Sequence, residues 1–375
     1  MKDIERYQNP YHDEKVHEAC AIFGAMAKSG KTFSAEFAIR AMSNMRERGT
    51  GLGAGFAVYG LYPEMKDLYA AHVMYLDKAA IGSTEEFLSS RFQLVYKEEL
   101  PTRKVKAFRE PPTFKRYFLG LRNGQIEDES EEDYIVRQVM TINNELAGSY
   151  VFSLGRDMGV FKGLGYPEDI AEFFCLENYR GYIWTAHSRF PTNTPGWWGG
   201  AHPFSLLDLS VVHNGELSSY GINRRYLEQS GYNFSLKTDT EVVAYAFDLL
   251  VRRHHLPPEI AAMALAPPFW DEIDRREAEE RSLLLALRQT YSSLLLNGPF
   301  AIIIARHGEM IGLTDRTRLR PLIVGRKGDM VFLSSEESAI RLVEPGLEEV
   351  FSPCGGEPVI SRLGTREAVG GAINC

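Results

Sequence analysis

Residues 18–25 read EACAIFGA, where a charged leader gives way to a short run of small and apolar side chains. A continuous apolar run of this length is typical of a strand that is buried on both faces. Cys20 stands at the head of this predicted strand. A cysteine in such a place is either a small core residue or a nucleophile held at a strand end, and this pattern alone leaves both alternatives open.

Working outward from this strand, further strand patterns lie on both sides of a largely helical section. Strands are predicted over residues 52–59, 150–154, 158–162, 182–187 and 209–212. Ser34 and Ser130 precede helical patterns and are predicted N-caps, the second with Asp133 in a capping box. Residues 299–333 alternate apolar runs with tight polar turns, which predicts an antiparallel meander. Together these patterns favour an α+β layered fold over a doubly wound parallel sheet.

Segment boundaries follow changes in composition along the chain. We predict a leader or propeptide over residues 1–19, one domain over 20–360 and a C-terminal tail over 361–375. Within that domain, residues 61–129 are mixed and more highly charged. Such a composition is typical of a surface insertion or a small subdomain.

Composition narrows the class of protein. With 375 residues, 44% of them hydrophobic, the chain can bury a full core. Its net charge of −8 argues against a nucleic-acid or an anionic membrane surface, and no apolar run approaches the roughly 20 residues that span a bilayer. The charged N-terminus lacks a signal-peptide pattern, and the four cysteines lie far apart without a zinc-binding pair. We therefore predict a cytoplasmic protein with no metal site.

Residues 184–204, WTAHSRFPTNTPGWWGGAHPF, run from an apolar strand into a polar loop. Glycine and proline fix its turns, and Arg189, Thr192 and His202 supply polar side chains. Loops held by a rigid sheet are where binding residues concentrate, and the planar guanidinium of arginine suits a carboxylate. The alternative is a structural loop in which Arg189 pairs with a carboxylate of the protein itself.

Two shorter patterns follow this loop. Asn214-Gly215 comes after a β run, where it predicts either a type I′ hairpin turn or an oxyanion hole made by the amide side chain and the glycine N–H. Asp239 opens a helix, either as its N-cap or as a carboxylate that binds an ammonium group. Each pattern alone is compatible with a purely structural role.

In chain order, Cys20, the loop His187-Ser188-Arg189-Phe190-Pro191-Thr192, Asn214-Gly215 and Asp239 resemble the class II (N-terminal nucleophile) glutamine amidotransferases. That family has a cysteine near its start, a His-Thr/Ser-Arg-x-x-Thr loop, Asn-Gly, and an aspartate before a helix. The resemblance covers about residues 20–60 and 150–360 and implies a four-layer αββα fold. Within the family, residues 191–204 look most like glutamate synthase of the archaeal type, whose amidotransferase domain is a separate polypeptide.

The resemblance also implies roles for individual residues. The implied catalytic residues are Cys20, Asn214 and Gly215, and the implied residues that bind L-glutamine are Arg189, Thr192, His202 and Asp239. Cys20 is not at position 1, so activity would require cleavage after Ala19, which frees an α-amino group of pKa roughly 8 as the base. The family's Arg-Gly-x-Asp-Ser-Ala-Gly turn is replaced here by RGTGLG at 48–53, so no role is carried over for it.

The expected partner follows from what the chain lacks. It has no Ser-Gly-Gly-x-Asp-Ser loop, no acidic diphosphate loop, and no GxGxxG run or cysteine cluster for a flavin or an iron–sulfur centre. We therefore expect no cofactor on this chain and a separate ammonia-accepting synthase subunit, which for glutamate synthase would carry flavin and iron–sulfur centres. Two alternatives stay open: another acceptor synthase, or an unprocessed, non-catalytic subunit that senses glutamine.

Overall fold

The structure is a computed structural model and describes residues 20–122, 124, 126, 129–190, 196–236 and 238–365. Its strands, in chain order, are β1 (Ala21–Ala27), β2 (Phe33–Ser34), β3 (Ala54–Tyr59), β4 (Tyr69–Tyr75), β5 (Gln93–Glu99), β6 (Thr113–Gly120), β7 (Ser149–Arg156), β8 (Met158–Gly163), β9 (Arg180–Gly181), β10 (Ile183–Ser188), β11 (Phe204–Leu206), β12 (Leu209–Gly215), β13 (Phe300–Arg306), β14 (Glu309–Thr314), β15 (Ile323–Lys327), β16 (Met330–Ser334), β17 (Glu349–Phe351) and β18 (Val359–Arg362). Its helices are α1 (Glu36–Asn44), α2 (Ala80–Arg91), α3 (Glu131–Glu145), α4 (Pro167–Phe173), α5 (Tyr220–Gln229), α6 (Asp239–Asp248), α7 (Pro258–Leu265), α8 (Trp270–Asp274), α9 (Ala278–Thr290) and α10 (Glu337–Val343). A π-helical turn, Leu249–Arg253, continues α6.

Two antiparallel sheets stacked face to face form the centre of the fold. The first has seven strands in the order β17-β15-β16-β1-β10-β3-β8, and the second has five in the order β11-β12-β13-β14-β18. Strands β1 and β10 of the first sheet pack on β12 and β13 of the second. Helices α1, α4 and α10 cover the outside of the first sheet, while α6, with α5 beside it, covers the second. This arrangement confirms the predicted four-layer αββα fold.

Strand β1 shows why the sequence forms two stacked layers. All seven of its residues, AIFGAMA, are buried, because one face meets the second sheet and the other lies under α1. A Cβ on Gly24 would lie 2.9 Å from Met310 Sδ and 3.3 Å from Ile303 Cγ2, so the glycine lets the two sheets approach closely. Burial of apolar surface, at about 25 cal/mol per Å², is the main stabilising contribution of such strands.

The predicted single meander over residues 299–333 is wrong. β13 pairs with β14 in the five-stranded sheet, whereas β15 pairs with β16 in the seven-stranded sheet. Residues 315–322 carry the chain from one sheet to the other. The apolar pattern predicts each strand correctly but not the sheet that receives it, because both sheets offer an equally buried face.

Residues 61–129 contribute to a third antiparallel sheet, with the order β5-β6-β4-β7. Strand β7 continues into β8 of the seven-stranded sheet with only Asp157 between them. Phe108 and Phe114 from this segment pack on Trp198, with ring centroids 5.2 and 5.5 Å from the indole. The boundaries of the segment stay a prediction, but its aromatic side chains contact the loop between β10 and β11.

Candidate active site

Cys20 lies directly before β1, at the end of the sandwich where β10 finishes. The pairing of Ala21 with Ser188 brings it beside the residues that follow β10. Its Sγ accepts a hydrogen bond from the backbone N–H of Phe190 at 3.2 Å, and Arg48 Nε donates to its carbonyl oxygen at 3.2 Å. Residues distant in sequence therefore hold both the thiol and the main chain of Cys20.

Several charged groups act on this thiol. Burial raises the pKa of Cys20, and the Phe190 N–H and the Arg189 guanidinium oppose that shift without cancelling it. Asp239 raises the pKa further, whereas Arg320 lowers it. The thiol is consequently protonated at neutral pH and needs a base before it can act as a nucleophile. Among the residues described, no side-chain base forms a hydrogen bond with Sγ.

Asn214 and Gly215 end β12, on the sheet that faces β1. They pair with Ala301 and Phe300 of β13, so the alternative of a type I′ turn at this pair is wrong. Asn214 is 0% exposed, and within the described ranges neither Nδ2 nor Oδ1 has a hydrogen-bond partner. A buried polar group left unpaired costs about 1–3 kcal/mol, so this amide calls for a functional explanation. Gly215 has a φ of +144°, and a Cβ there would lie 2.0 Å from the oxygen of Pro299, so only glycine fits.

Asp239 is the first residue of α6 and lies beside the end of β12. Thr238 is the N-cap, since its side chain accepts the Thr240 N–H at 3.2 Å, so the alternative of Asp239 as the N-cap is wrong. Asp239 Oδ2 accepts the Leu217 N–H at 3.2 Å, and Oδ1 lies 3.5 Å from His213 Nδ1. Burial alone would raise the pKa of Asp239, but His213 and the backbone donors hold it below its usual range. The carboxylate is therefore ionised at neutral pH.

Arg189 follows β10 and is only 5% exposed. Its N–H donates to the oxygen of Gly53 at 2.8 Å, and its own carbonyl accepts the Thr50 N–H at 3.2 Å. Gly53 has a φ of +143°, and a Cβ there would lie 3.3 Å from Arg189 Cδ. The turn at residues 48–53, to which the sequence assigned no role, thus positions Cys20 through Arg48 and Arg189 through its backbone.

A cluster of histidines lies next to the strand that carries Asn214. His187 Nε2 donates to the backbone oxygen of His213 at 3.0 Å, and His202 Nδ1 lies 3.2 Å from the same nitrogen. Burial lowers the pKa of His187 to about 3 and that of His202 well below its usual range. Both rings are therefore neutral. The structure places His202 against His187, while Thr192 lies outside the described residues.

Three residues of the site were not predicted from the sequence, namely Arg48, His213 and Arg320. Arg48 donates to the Cys20 carbonyl, and His213 lies 3.5 Å from Asp239. Arg320 lowers the pKa of Cys20, and its buried Nε has no partner within the described part of the chain. Asp315 holds the loop of Arg320 by accepting several of its backbone N–H groups. His213 directly precedes Asn214-Gly215, so its position was a usable signal. The other two reach the site only through long-range folding.

The described residues form neither a metal site nor a membrane span. Over these ranges, no group of three or more His, Cys, Asp or Glu side chains is arranged to hold a metal ion. None of the described helices has the length and apolar character that crossing a bilayer requires. The expected absence of a metal stays a prediction.

The family model described as "Glutamine amidotransferases class-II" matches residues 61–349. The chain therefore belongs to the class II glutamine amidotransferases, which are enzymes. The matched range contains Arg189, Asn214 and Asp239, while Cys20 precedes it.

Individual relatives cover different shares of the chain. An "Uncharacterized protein" of Archaeoglobus fulgidus is 57% identical over 358 residues, 94% of this chain and 95% of the relative. An amidophosphoribosyltransferase of Methanocaldococcus jannaschii is 27% identical over 221 residues, 56% of this chain and 41% of the relative. The NADPH glutamate synthase large chain of Bacillus subtilis is 28% identical over 216 residues, 52% of this chain and 14% of the relative. The last two share only part of their length with this chain, and their names state different activities.

Proposed function

We propose that this chain is a cytoplasmic glutaminase that hydrolyses L-glutamine to glutamate and ammonia through a thioester on Cys20. The observation that carries the proposal is the buried amide of Asn214, which has no partner among the described residues. This amide lies on the sheet that faces Cys20 and beside Asp239. A preorganised donor aimed at a developing oxyanion contributes about 3 kcal/mol to lowering the barrier.

The two charged groups of glutamine have complementary partners in the site. Arg189 binds the α-carboxylate, for which a planar guanidinium is suited. Asp239, ionised at neutral pH, accepts hydrogen bonds from the α-ammonium. Both charges already act on the pKa of Cys20, which supports a pocket that ends at the thiol. Thr192 and His202 are proposed to shape its walls.

In the proposed reaction, Cys20 Sγ adds to the side-chain amide carbon and forms a C–S bond. The amide oxygen becomes an oxyanion that accepts hydrogen bonds from Asn214 Nδ2 and the Gly215 N–H. The C–N bond then breaks, and the proton taken from the thiol by the base passes to the leaving nitrogen, which departs as ammonia. Water adds to the thioester, so glutamate leaves and the thiol is restored.

The base is proposed to be the α-amino group of Cys20 after removal of residues 1–19. A base is required because burial raises the pKa of the thiol. A free α-amino group can serve as this base, since it titrates at roughly pH 8. Intact mass of the purified protein tests the step. Loss of 19 residues supports it, and full retention together with absent activity supports the alternative of a non-catalytic glutamine-sensing subunit.

Substitution of the cysteines tests the nucleophile. Ammonia release from glutamine by Cys20→Ala should fall by at least about 1,000-fold. Cys175→Ala is the matched control, because its buried thiol accepts a hydrogen bond from Arg103 outside the site, and this variant should keep its activity. Ammonia release by Cys20→Ala at the wild-type rate would sink the assignment.

The proposed acceptor of the ammonia is a separate glutamate synthase subunit that carries flavin and iron–sulfur centres. Support comes from the resemblance at residues 191–204 and from the similarity to the Bacillus subtilis chain. The amidophosphoribosyltransferase relative keeps another acceptor as the alternative. Glutamate formation from 2-oxoglutarate by a purified flavoprotein synthase should become glutamine-dependent when this chain is added. A synthase that works with ammonium chloride but gains nothing from glutamine and this chain contradicts the pairing.

A further inference from the structure

A second cavity, about 300 Å³ in volume, lies at the opposite end of β12 from the oxyanion residues. The β11–β12 hairpin, the β13–β14 hairpin and α6 with its π-helical turn contribute to its walls. Asp208 borders the cavity directly before β12, six residues ahead of Asn214, so about 20 Å separates the two at roughly 3.4 Å per residue. A cavity of this size suits a small ligand and is distinct from the Cys20 site.

Asp208 gives this cavity a negative charge. Its Oδ1 accepts the backbone N–H of Arg156 at 2.8 Å, and among the described residues no side chain forms an ion pair with it. Burial raises the pKa of Asp208, although the Arg156 N–H and the nearby His307 partly oppose the shift. A cationic group in the cavity would relieve this cost of burying a carboxylate.

Arg306 gives the same cavity a positive charge. The pairing of Ser210 with Ala305 continues the β12–β13 register toward both hairpins, so Arg306 lies across from the start of β12. Arg306 Nε donates to Glu309 at 2.7 Å, and its terminal nitrogens have no hydrogen-bond partner within the described ranges. Asp248 and Arg252 also line the cavity but pair with each other, and Arg156 pairs with Glu131. Asp208 and Arg306 therefore present a carboxylate and a guanidinium that are both available to a ligand, beside the exposed Glu132.

Part of the remaining wall is apolar and is formed by Leu206, Leu209, Phe247 and Val251. Other lining residues are polar or charged, namely Tyr69, Glu132, Arg156, Asp248, Arg252 and His307. A purely charged ligand would leave the apolar part against water, whereas an aliphatic side chain would bury it at about 25 cal/mol per Å².

We propose that this cavity binds an α-amino acid with an aliphatic side chain, such as L-leucine. The ammonium group is held by Asp208, the carboxylate by Arg306, and the side chain packs on Phe247 and Val251. A zwitterion matches both charges at once, which neither an amine nor a carboxylic acid does. The proposal goes beyond the glutaminase function and does not depend on it.

Isothermal titration calorimetry with three probes tests the proposal. L-Leucine is compared with 4-methylpentanoate, which lacks the ammonium, and with 3-methylbutylamine, which lacks the carboxylate. Leucine should bind about tenfold or more tightly than either, because each lost charge-assisted hydrogen bond leaves a protein charge unpaired. Equal affinity for leucine and 4-methylpentanoate overturns the role of Asp208, and no binding of leucine overturns the site.

Two variants separate the contributions of the two charges. Asp208→Asn keeps an oxygen for the Arg156 N–H but should abolish the preference for leucine over 4-methylpentanoate. Arg306→Gln should weaken leucine and 4-methylpentanoate alike and spare the amine, so it remains informative if Asp208→Asn fails to fold. Arg275→Gln, which removes an exposed arginine paired with Asp271, is the matched control and should change nothing. Unchanged leucine affinity in both cavity variants overturns the proposal.

The proposed leucine site and the proposed glutaminase site can be tested independently. Cys20→Ala and Arg189→Gln should both bind leucine as tightly as the wild type, because the two sites lie at opposite ends of β12. Loss of leucine binding in Arg189→Gln would place leucine in the Cys20 pocket and overturn the second site. Loss of glutaminase activity without loss of leucine binding would contradict only the proposed reaction.

Discussion

Helix α6 has an aspartate at each end, and the two carboxylates have very different surroundings. At the C-terminal end, Asp248 accepts two hydrogen bonds from Arg252, both at 2.8 Å, and another from Tyr232. At the N-terminal end, Asp239 has a backbone donor and His213 at 3.5 Å. The helix dipole favours a negative charge at the N-terminus, whereas Asp248 lies where the helical backbone continues into the π-helical turn and has no such support. Asp248 is therefore stabilised by its arginine, whereas Asp239 can stay ionised and accept a ligand.

Two buried asparagines show the same difference. Asn223 Nδ2 donates to the backbone oxygens of Ser293 and Leu295 at 2.7 and 3.2 Å. Asn214, also 0% exposed, has neither donor nor acceptor paired among the described residues. The Oδ1 of Asn223 has no partner within the described ranges, so the two residues differ in their donor, which is paired twice in Asn223 and unpaired in Asn214. A paired donor stabilises the fold, while an unpaired one is destabilising until a ligand arrives. We infer that Asp239 and Asn214 serve function, whereas Asp248 and Asn223 serve stability.

The largest effect on stability is expected at the saturated aspartate. Asp248→Ala should lower the free energy of unfolding by about 3–5 kcal/mol, because it leaves Arg252 largely buried with half of its ion-pair partners removed. Urea denaturation measures the loss, and ammonia release measured well below the transition should be unchanged. An inactive but fully stable Asp248→Ala variant would contradict the assignment of Asp248 to stability and not to catalysis.

The asparagine pair should separate catalysis from stability. Asn214→Ala should lower kcat by about 100- to 1,000-fold through loss of an oxyanion donor, with little change in unfolding free energy. Asn223→Ala should do the reverse, costing about 1–3 kcal/mol of stability with kcat preserved. Steady-state kinetics and urea denaturation of both variants test the pair. An Asn214→Ala enzyme with wild-type kcat would remove the oxyanion role.

Asp239→Asn should act mainly on substrate binding. Because the amide lacks the charge that pairs with the substrate ammonium, KM for glutamine should rise by about 10- to 100-fold, with a smaller change in kcat. The expected loss of binding free energy is thus about 1.4–2.8 kcal/mol. Initial rates over a range of glutamine concentrations measure both constants. A change confined to kcat would contradict the assignment of Asp239 to the ammonium.

The smallest expected effect is a pH dependence of stability. The native pKa of Asp239 lies below its usual range, so its stabilising contribution is complete above the unfolded value of about 3.9 and is lost as pH falls through the native pKa. The difference in unfolding free energy between wild type and Asp239→Asn should therefore shrink as the pH falls below about 4. A difference that grows in acid would have the wrong sign and would contradict the lowered pKa.

Local patterns in the sequence predicted the candidate residues because each motif sits where an element begins or ends. Cys20 precedes β1, Arg189 follows β10, and Asp239 begins α6. What the pattern could not supply is the pairing of β1 with β10 across more than 150 residues. That proximity came only from the family resemblance, and the assigned roles stay predictions.

The two N-caps predicted from the sequence had different outcomes, because long-range strand pairing affects only one of them. The N-cap at Ser130 is confirmed, since its side chain accepts the Asp133 N–H at 3.1 Å. The N-cap predicted at Ser34 is wrong, because Ser34 pairs with Arg180 in a short sheet and Ala35 is the N-cap of α1. Strand pairing fixes the backbone of Ser34, and no local signal reports a partner so far along the chain.

The contacts of Phe108 and Phe114 with Trp198 also have an evolutionary consequence. These rings join the segment at 61–129 to the loop that leads into His202. A lineage that shortens the segment would lose two walls of the indole site, and selection should then replace Trp198 with a smaller residue. Positions 108, 114 and 198 are therefore expected to covary among homologues, even though none of the three has a proposed role in the reaction.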